Sequence, residues 1–344
     1  MGLLCRPLDD AAIPAWDRFV DARPEATFFH RAGWRAVIER AFGHRAHYTF
    51  AERDGAIVGV LPLVDMRTRL FGRSLISAPF CVYGGPVAAE PEAMAALEAH
   101  AASLMDRMDV PATEFRFLHA PEGSGWTERS GLYVTFRRAI AGDDEANLKA
   151  IPRKQRAMVR KGIENGLRAE VSGRLGALHR VYAESVRNLG TPVFSRRYFA
   201  LLLEAFPDAS DVLTVFDGEA PIAAVMNFYF RDEVLPYYGG GTAAARGRAG
   251  NDFMYWEVMR HAAARGCRLF DFGRSKEGTG AFSFKKNWGF QPTPLAYRFR
   301  LRPGTDLPER NPLNPKYARF IAAWKRLPLP VANAIGPHLV RGLG

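Results

Sequence analysis

The chain has 344 residues, 48% hydrophobic and 24% charged, enough apolar material for two ordinary domains and too much for a disordered chain. With 47 Lys and Arg against 36 Asp and Glu, the net charge of +11 favours polyanionic or phosphate-bearing partners such as tRNA, nucleotide-sugars or an anionic membrane face, unless it is only an arginine bias of composition. No run approaches the ~18 apolar residues of a membrane span, and neither the eight histidines nor Cys5, Cys81 and Cys267 show metal spacing or a disulfide framework.

Met1 to Val20 lacks the charged segment and apolar run of a signal peptide. Leu3-Leu4-Cys5 has no hydrophobic segment before it, and Arg6 breaks the myristoylation pattern. The expected location is therefore cytoplasmic, either free or peripheral to the inner membrane; no DNA partner and no bound metal are expected.

The first helix is expected at 31–42, where Trp34, Val37, Ile38, Ala41 and Phe42 share one face. A hairpin follows, Ala46–Arg53 and Ala56–Val64, turning on Asp54-Gly55. Another strand leads to Tyr83-Gly84-Gly85, then a helix at 91–108 and a buried strand at Glu114–Leu118. The same order recurs. Tyr198, Leu201, Leu202, Ala205 and Phe206 lie 164 residues after the first helical set. The second hairpin, Val212–Phe216 and Pro221–Phe230, turns on Asp217-Gly218. Tyr238-Gly239-Gly240 and Phe270-Asp271-Phe272 each lie 155 residues after Tyr83-Gly84-Gly85 and Phe115-Arg116-Phe117. A helix at 251–265 stops at Gly266, and a strand at Arg268–Gly273 closes the second unit. One match is chance; a set in constant order points to duplication.

Helix, antiparallel strands, helix and strand make an α/β layer pattern of the α+β kind with a mixed sheet. The expected limits are 1–148 for the first unit and 149–300 for the second, which includes a basic entry helix at 152–165. A Pro-rich tail at 301–344 follows. The order resembles the acyltransferase fold of the GCN5-related N-acetyltransferases (GNAT), in tandem. That resemblance implies that two central strands splay to admit an acyl donor, and that a pyrophosphate loop precedes the second long helix. Here the loop would be Arg246-Gly247-Arg248-Ala249-Gly250-Asn251, whose backbone N–H groups suit phosphate. Read alone, it is a Gly-bearing turn with Asn251 as helix N-cap. The first half has only Gly85-Pro86-Val87 there, and is not expected to hold coenzyme A in this manner.

Between the units, Pro152 suits a helix start and Gly166 its end. Arg153, Arg156 and Arg160 fall on one face, with Lys154 and Lys161 on an adjacent one. Five cations before the first acid, Glu164, repel one another, whereas a stability-driven surface would intersperse carboxylates. A phosphate or RNA-backbone contact is one reading and a solvated linker helix the other.

Residues 270–291 hold the densest chemistry. Asp271 ends a buried strand, and Gly273, Gly278 and Gly280 make a turn carrying Arg274 and Lys276. Phe282 and Phe284 alternate with Ser283 as in a strand, delivering Lys285 and Lys286 at its end. This cationic site suits phosphate, carboxylate or a developing oxyanion; a basic hairpin with an aromatic anchor is the plainer reading.

The strings IPRKQRAMVRKG, FDFGRSKEGTG and FKKNWGFQPTPLAYRF resemble the FemAB group of peptidyl and aminoacyl transferases, in particular the FemAB-related branch associated with PEP-CTERM/exosortase and exopolysaccharide gene clusters. The resemblance covers roughly residues 15–300 and implies transfer of an amino acid from aminoacyl-tRNA to an amine on an envelope or glycan precursor. By motif, only Lys285 matches the lysine that helps stabilise the reacting carbonyl. Trp288, Pro292 and Pro294 depart from the better-known pattern, and the long helical arm of some members is absent. On this reading Lys285 stabilises the oxyanion, while Arg274, Lys276, Lys286, Arg153, Arg156 and Arg160 hold phosphate or carboxylate. Asp271 is either a base or the cap of the Gly273 turn. Tyr83 and Tyr238 either line a cleft or are packed aromatics. The donor is aminoacyl-tRNA or acyl-coenzyme A, taken as substrate with no resident cofactor. A non-catalytic protein that binds RNA or anionic glycan remains the rival.

In the tail, Pro303, Pro308, Pro312, Pro315, Pro328 and Pro330 predict short pieces. Tyr317–Arg326 is a candidate helix with Tyr317, Phe320, Ile321 and Trp324 on one face and Lys316, Arg319, Lys325 and Arg326 around it. It either lies on an anionic membrane surface or packs on its own domain.

Overall fold

A computed structural model describes residues 2–68, 72–123, 125–306 and 315–344. In chain order the first elements are β1 (Leu4–Pro7), α1 (Ile13–Ala22), α2 (Gly33–Phe42), β2 (Arg45–Arg53), β3 (Ala56–Thr68), β4 (Gly72–Ser77), β5 (Val87–Ala88), α3 (Pro91–Arg107), β6 (Ala112–Phe117) and β7 (Thr127–Ala139). Then come α4 (Asp144–Ala150), α5 (Arg153–Glu164), β8 (Arg168–Ser172), α6 (Leu175–Leu189), α7 (Arg196–Ala205), β9 (Ser210–Asp217), β10 (Ala220–Phe230) and β11 (Glu233–Gly241). The rest are α8 (Ala243–Arg248), α9 (Gly250–Ala264), β12 (Leu269–Asp271), α10 (Gly280–Asn287), β13 (Pro292–Leu301), α11 (Pro315–Trp324) and α12 (Leu329–Val340).

Two compact units divide the chain. The first comprises Met1–Leu132, Pro294–Arg310 and Arg341–Gly344; the second comprises Tyr133–Thr293 and Asn311–Val340. The division thus falls at 132/133, not at the expected 148/149. Its cause is strand pairing. The first sheet runs β1-β2-β3-β4-β6-β13, with β13 antiparallel to β6 from Ala296↔Phe117 to Leu301↔Ala112. The second runs β8-β9-β10-β11-β12-β7, with Leu269↔Ala139 and Asp271↔Arg137 antiparallel. Each unit therefore completes its sheet with residues from outside the segment that the sequence pattern assigns to it.

The repeat is visible in the pairing itself. In both sheets one neighbouring pair is parallel and short: Leu75↔Thr113 and Ile76↔Glu114 in the first, Glu233↔Leu269 and Val234↔Phe270 in the second. All other neighbours within each sheet are antiparallel. Both expected hairpins form, and Asp54 (φ 52°), Gly55 (φ 78°) and Gly218 (φ 59°) adopt the left-handed backbone that their turns require. The first core packs Leu61, Leu63, Leu75 and Phe115 against Leu97 and Met105 of α3. The second packs Val225, Val234 and Phe270 against Met254, Val258 and Met259 of α9.

Several expectations change. Phe282 to Lys285 lie in a helix, α10, not a strand. Thr279 caps it by accepting the Phe282 N–H at 3.3 Å, and three alternating residues were too few to fix a period. The supposed phosphate loop is mostly helical: α8 spans Ala243–Arg248, and the N-cap of α9 is Ala249 (φ 60°) rather than Asn251. Tyr238-Gly239-Gly240 lies inside β11, whereas Tyr83-Gly84-Gly85 lies in a loop after β4. Helices α1, α4, α6 and α12 have no counterpart in the sequence reading. Of the tail prolines, Pro308 and Pro312 lie outside the described residues, as does the Lys316 side chain. No helix among the described residues is long and apolar enough to cross a membrane.

Candidate active site

The second unit gathers polar groups where β11 and β12 part. After two parallel pairs β12 ends at Asp271, while β11 continues to Gly241 hydrogen-bonded to β10. Asp271 is fully buried. Its Oδ1 accepts the Gly273 N–H at 2.6 Å and the Thr135 hydroxyl at 3.3 Å, and its Oδ2 lies 3.3 Å from Arg137 Nε. That is the capping geometry for the Gly273 turn (φ 67°). Arg137 also donates to Glu233 at 2.7 Å. Burial first, and then the Asp271 charge, hold the Glu233 carboxyl well above the usual carboxylate range, with Arg137 opposing.

Lys285 reaches this turn from the last part of α10. Its Nζ donates to the carbonyls of Gly273 and Arg274, both at 3.0 Å, and stands 5.7 Å from the centre of the Phe136 ring. The stem is partly exposed while the ammonium is sunk among these groups. Burial lowers its pKa to about 7, Arg274 pushes the same way, and Asp271 opposes. An ammonium has three N–H groups. Two are committed to carbonyls, which aims the third. The turn is further held by Ser275, paired with Val134 through both backbone groups at 2.8 and 3.0 Å, and by Tyr133, over whose ring Arg274 (4.6 Å) and Lys276 (5.5 Å) sit.

The structure thus brings Asp271, Arg274, Lys276 and Lys285 together. Lys286, next in sequence, is exposed on α10. Arg153, Arg156 and Arg160 lie on α5, with Arg153 and Arg160 exposed together with Lys154 and Lys161. Among the described residues none of these five cations has an ion-pair partner. Helix α5 packs on α9 through Val159 and Gly162, where an added Cβ would sit 2.7 Å from Phe253. It is tied to the end of α10 through Asp252, which accepts from Gln155 at 2.9 Å and from the Trp288 indole at 3.0 Å. Tyr83 is buried against Phe29 in the first unit. Tyr238 is buried in the second, its hydroxyl 2.7 Å from that of Tyr198. Arg248 is bound to Asp217 at 2.8 Å and to the Asn165 carbonyl at 2.9 Å, while Arg246 is exposed. A separate open groove of about 610 Å³, lined by Arg180, Glu184, Glu219, Pro221, Ile222 and Thr242, includes none of the site residues.

Sequence reasoning missed Glu233, Arg137, Thr135 and Asp252. The first three come from strands 96 and 136 residues apart in their contacts, and no local pattern marks them.

Residues 148–286 match the family model of the acetyltransferase (GNAT) domain. The matched segment carries the parted strands, α5 and Lys285. Among curated proteins no sequence matches the chain. Among solved structures, FemX is similar with a TM-score of 0.68 at 14% identity, covering 85% of this chain and 96% of that one. The C-terminal domain (DUF2156) of a putative lysylphosphatidylglycerol synthetase from Agrobacterium fabrum gives 0.57 at 14% identity, covering 84% and 91%. A tandem GNAT protein from the clavulanic acid biosynthesis pathway gives 0.54 at 14% identity, covering 89% and 100%. At these identities the likeness is one of fold, and the fold is the tandem GNAT-type acyltransferase fold.

Proposed function

We propose that the chain is an N-acyltransferase that moves an aminoacyl group from aminoacyl-tRNA to an amine on a cell-envelope or exopolysaccharide-related precursor. The observation that carries this is Lys285, fixed by two carbonyls at the parting of β11 and β12 with one N–H left to donate. The amine nitrogen bonds to the ester carbon, the ester C–O bond breaks, and the surplus amine proton ends on the departing ribose hydroxyl. Charge builds on the carbonyl oxygen in between, and a positioned cation in a water-poor site is worth most there. Asp271 positions the turn and sustains the charge on Lys285; its own acceptor sites are occupied by Gly273, Thr135 and Arg137. Arg274 and Lys276 suit a phosphate or carboxylate of either substrate.

Two features favour a tRNA donor over acyl-coenzyme A. Helix α5 presents five cations that have no carboxylate partner among the described residues, the pattern of a phosphate-backbone contact. The would-be pyrophosphate loop is helical over 246–248, and its Arg248 is engaged by Asp217 and Asn165. The test is competition binding: labelled aminoacyl-tRNA on the purified protein, challenged with deacylated tRNA and, separately, with acetyl-coenzyme A. Preference for the charged tRNA, weakened by R153E/R160E, is expected. Displacement by acetyl-coenzyme A moves the chain to the acyl-thioester class. Salt-sensitive tRNA binding that ignores the aminoacyl group and yields no transfer makes it an RNA-binding protein.

A further inference from the structure

Helix α12 of the second unit is packed with its smaller face inward. On α12 the buried residues are Ala332, Gly336 and Val340, and a Cβ at Gly336 would sit 2.9 Å from the Val193 backbone nitrogen. The larger Val331 and Ile335, four residues apart, face out at 41% and 44% exposure. Helix α11 turns Trp324 inward, its indole N–H donating to the Thr191 carbonyl at 3.2 Å, and lays Ile321 against Gly190. Phe320 stays 46% exposed, stacked on Trp324 at 5.6 Å. Leu189, next to Gly190, is 65% exposed. Four of the large apolar side chains exposed among the described residues thus belong to α11, α12 and the end of α6 on which they pack.

The charges carried by these two helices have one sign. Residues 311–344 contain no Asp or Glu. Arg319, Lys325 and Arg326 are exposed, and Arg187 lies beneath, donating to the Lys325 carbonyl at 3.0 Å. Apolar side chains on helices that carry cations and no carboxylate of their own suit the headgroup boundary of an acidic bilayer, where apolar groups enter and Lys or Arg stems reach back to the phosphates. A second copy of the same face would set like charges against each other.

We infer that the outward face of α11 and α12 docks on the surface of an anionic phospholipid bilayer. The inference is independent of the catalytic reading, because it rests on other residues and is read by binding alone. The probe is the full chain sedimented with phosphatidylcholine vesicles, with and without phosphatidylglycerol. Retention on the anionic vesicles only, falling as salt rises, is expected. K325E/R326E should weaken it at least about twentyfold, since each basic residue near such a surface contributes about fivefold. V331S/I335S should weaken it without lowering the thermal midpoint, because both side chains already face solvent. R153E/R160E on α5 should leave retention unchanged. Equal retention on neutral vesicles, no retention of the wild type, or loss only with the α5 variant overturns the inference. So does a dimer in sedimentation equilibrium that V331S/I335S splits, since the face would then be covered by a second copy.

Discussion

The two units build the same sheet and differ most where its one parallel pair of strands separates. In the first, β4 ends and the chain folds back into the parting: Gly84 and Gly85 both donate to the Arg116 carbonyl, at 2.9 and 2.6 Å, and every residue from Ser74 to Val87 is buried. A Cβ on Gly85 would lie 2.5 Å from the Phe117 ring, so only glycine fits. Arg116 itself is sealed in, bound to Glu114 at 2.7 Å and to the Cys81 carbonyl at 3.0 Å. In the second, the equivalent Tyr-Gly-Gly stays in β11 with Gly239, Gly240 and Gly241 partly exposed. The position matching Arg116 is Asp271, and α10 brings a lysine to it. One backbone plan thus serves as filled core in one unit and as a cationic site in the other, and the difference lies in a few side chains and one loop.

The comparison can be broken from either side. The largest effect is expected from Arg116→Ala: stranding the buried Glu114 carboxylate should cost about 3–5 kcal/mol of stability, read by denaturant unfolding, with charged-tRNA affinity at low temperature unchanged in the folded fraction. If affinity falls in proportion to the whole protein while stability holds, the first unit carries a ligand and the contrast fails. Next is Lys285→Met, which should keep the fold and cut turnover by ~10²–10³. Wild-type turnover in that variant removes Lys285 from the reaction. The smallest effect sharpens the electrostatics. Lys285 is held at about 7 in the folded protein against an ordinary 10.5. Between those values the unfolded chain binds a proton that the folded one lacks, so stability rises with pH across that window and is lowest below 7. The wild type should therefore gain on Lys285→Met by at most ~1.4 kcal/mol per pH unit there. Parallel stability curves for the two proteins would show that Lys285 is not desolvated.

Much of the fold was legible. The apolar faces of α2 and α7, both Asp-Gly hairpins, α3, α9 and the short strands β6 and β12 follow from periodicity and turn chemistry, which are local. The unit limits were not, because β7 and β13 join sheets through partners far away in sequence. Helix α10 forms where the alternation of Phe282, Ser283 and Phe284 suggests a strand, because the Thr279 cap outweighs three residues of pattern. Within the site, Asp271, Arg274, Lys276 and Lys285 stand inside 15 consecutive residues and showed as a cluster of charge among glycines.

The sequence by itself determined that two like units exist, that the second carries a basic helix near its start, and that one glycine-rich segment concentrates cations. These are statements about composition, spacing and repeat, and need no knowledge of what lies across the fold. Only the tertiary structure decided what surrounds those cations. Whether Lys285 is a solvated surface charge or a desolvated donor depends on the carbonyls of Gly273 and Arg274, the ring of Phe136 and the charge of Asp271. Ion solvation is set by everything within a few ångströms, and chain order alone does not specify which groups those are.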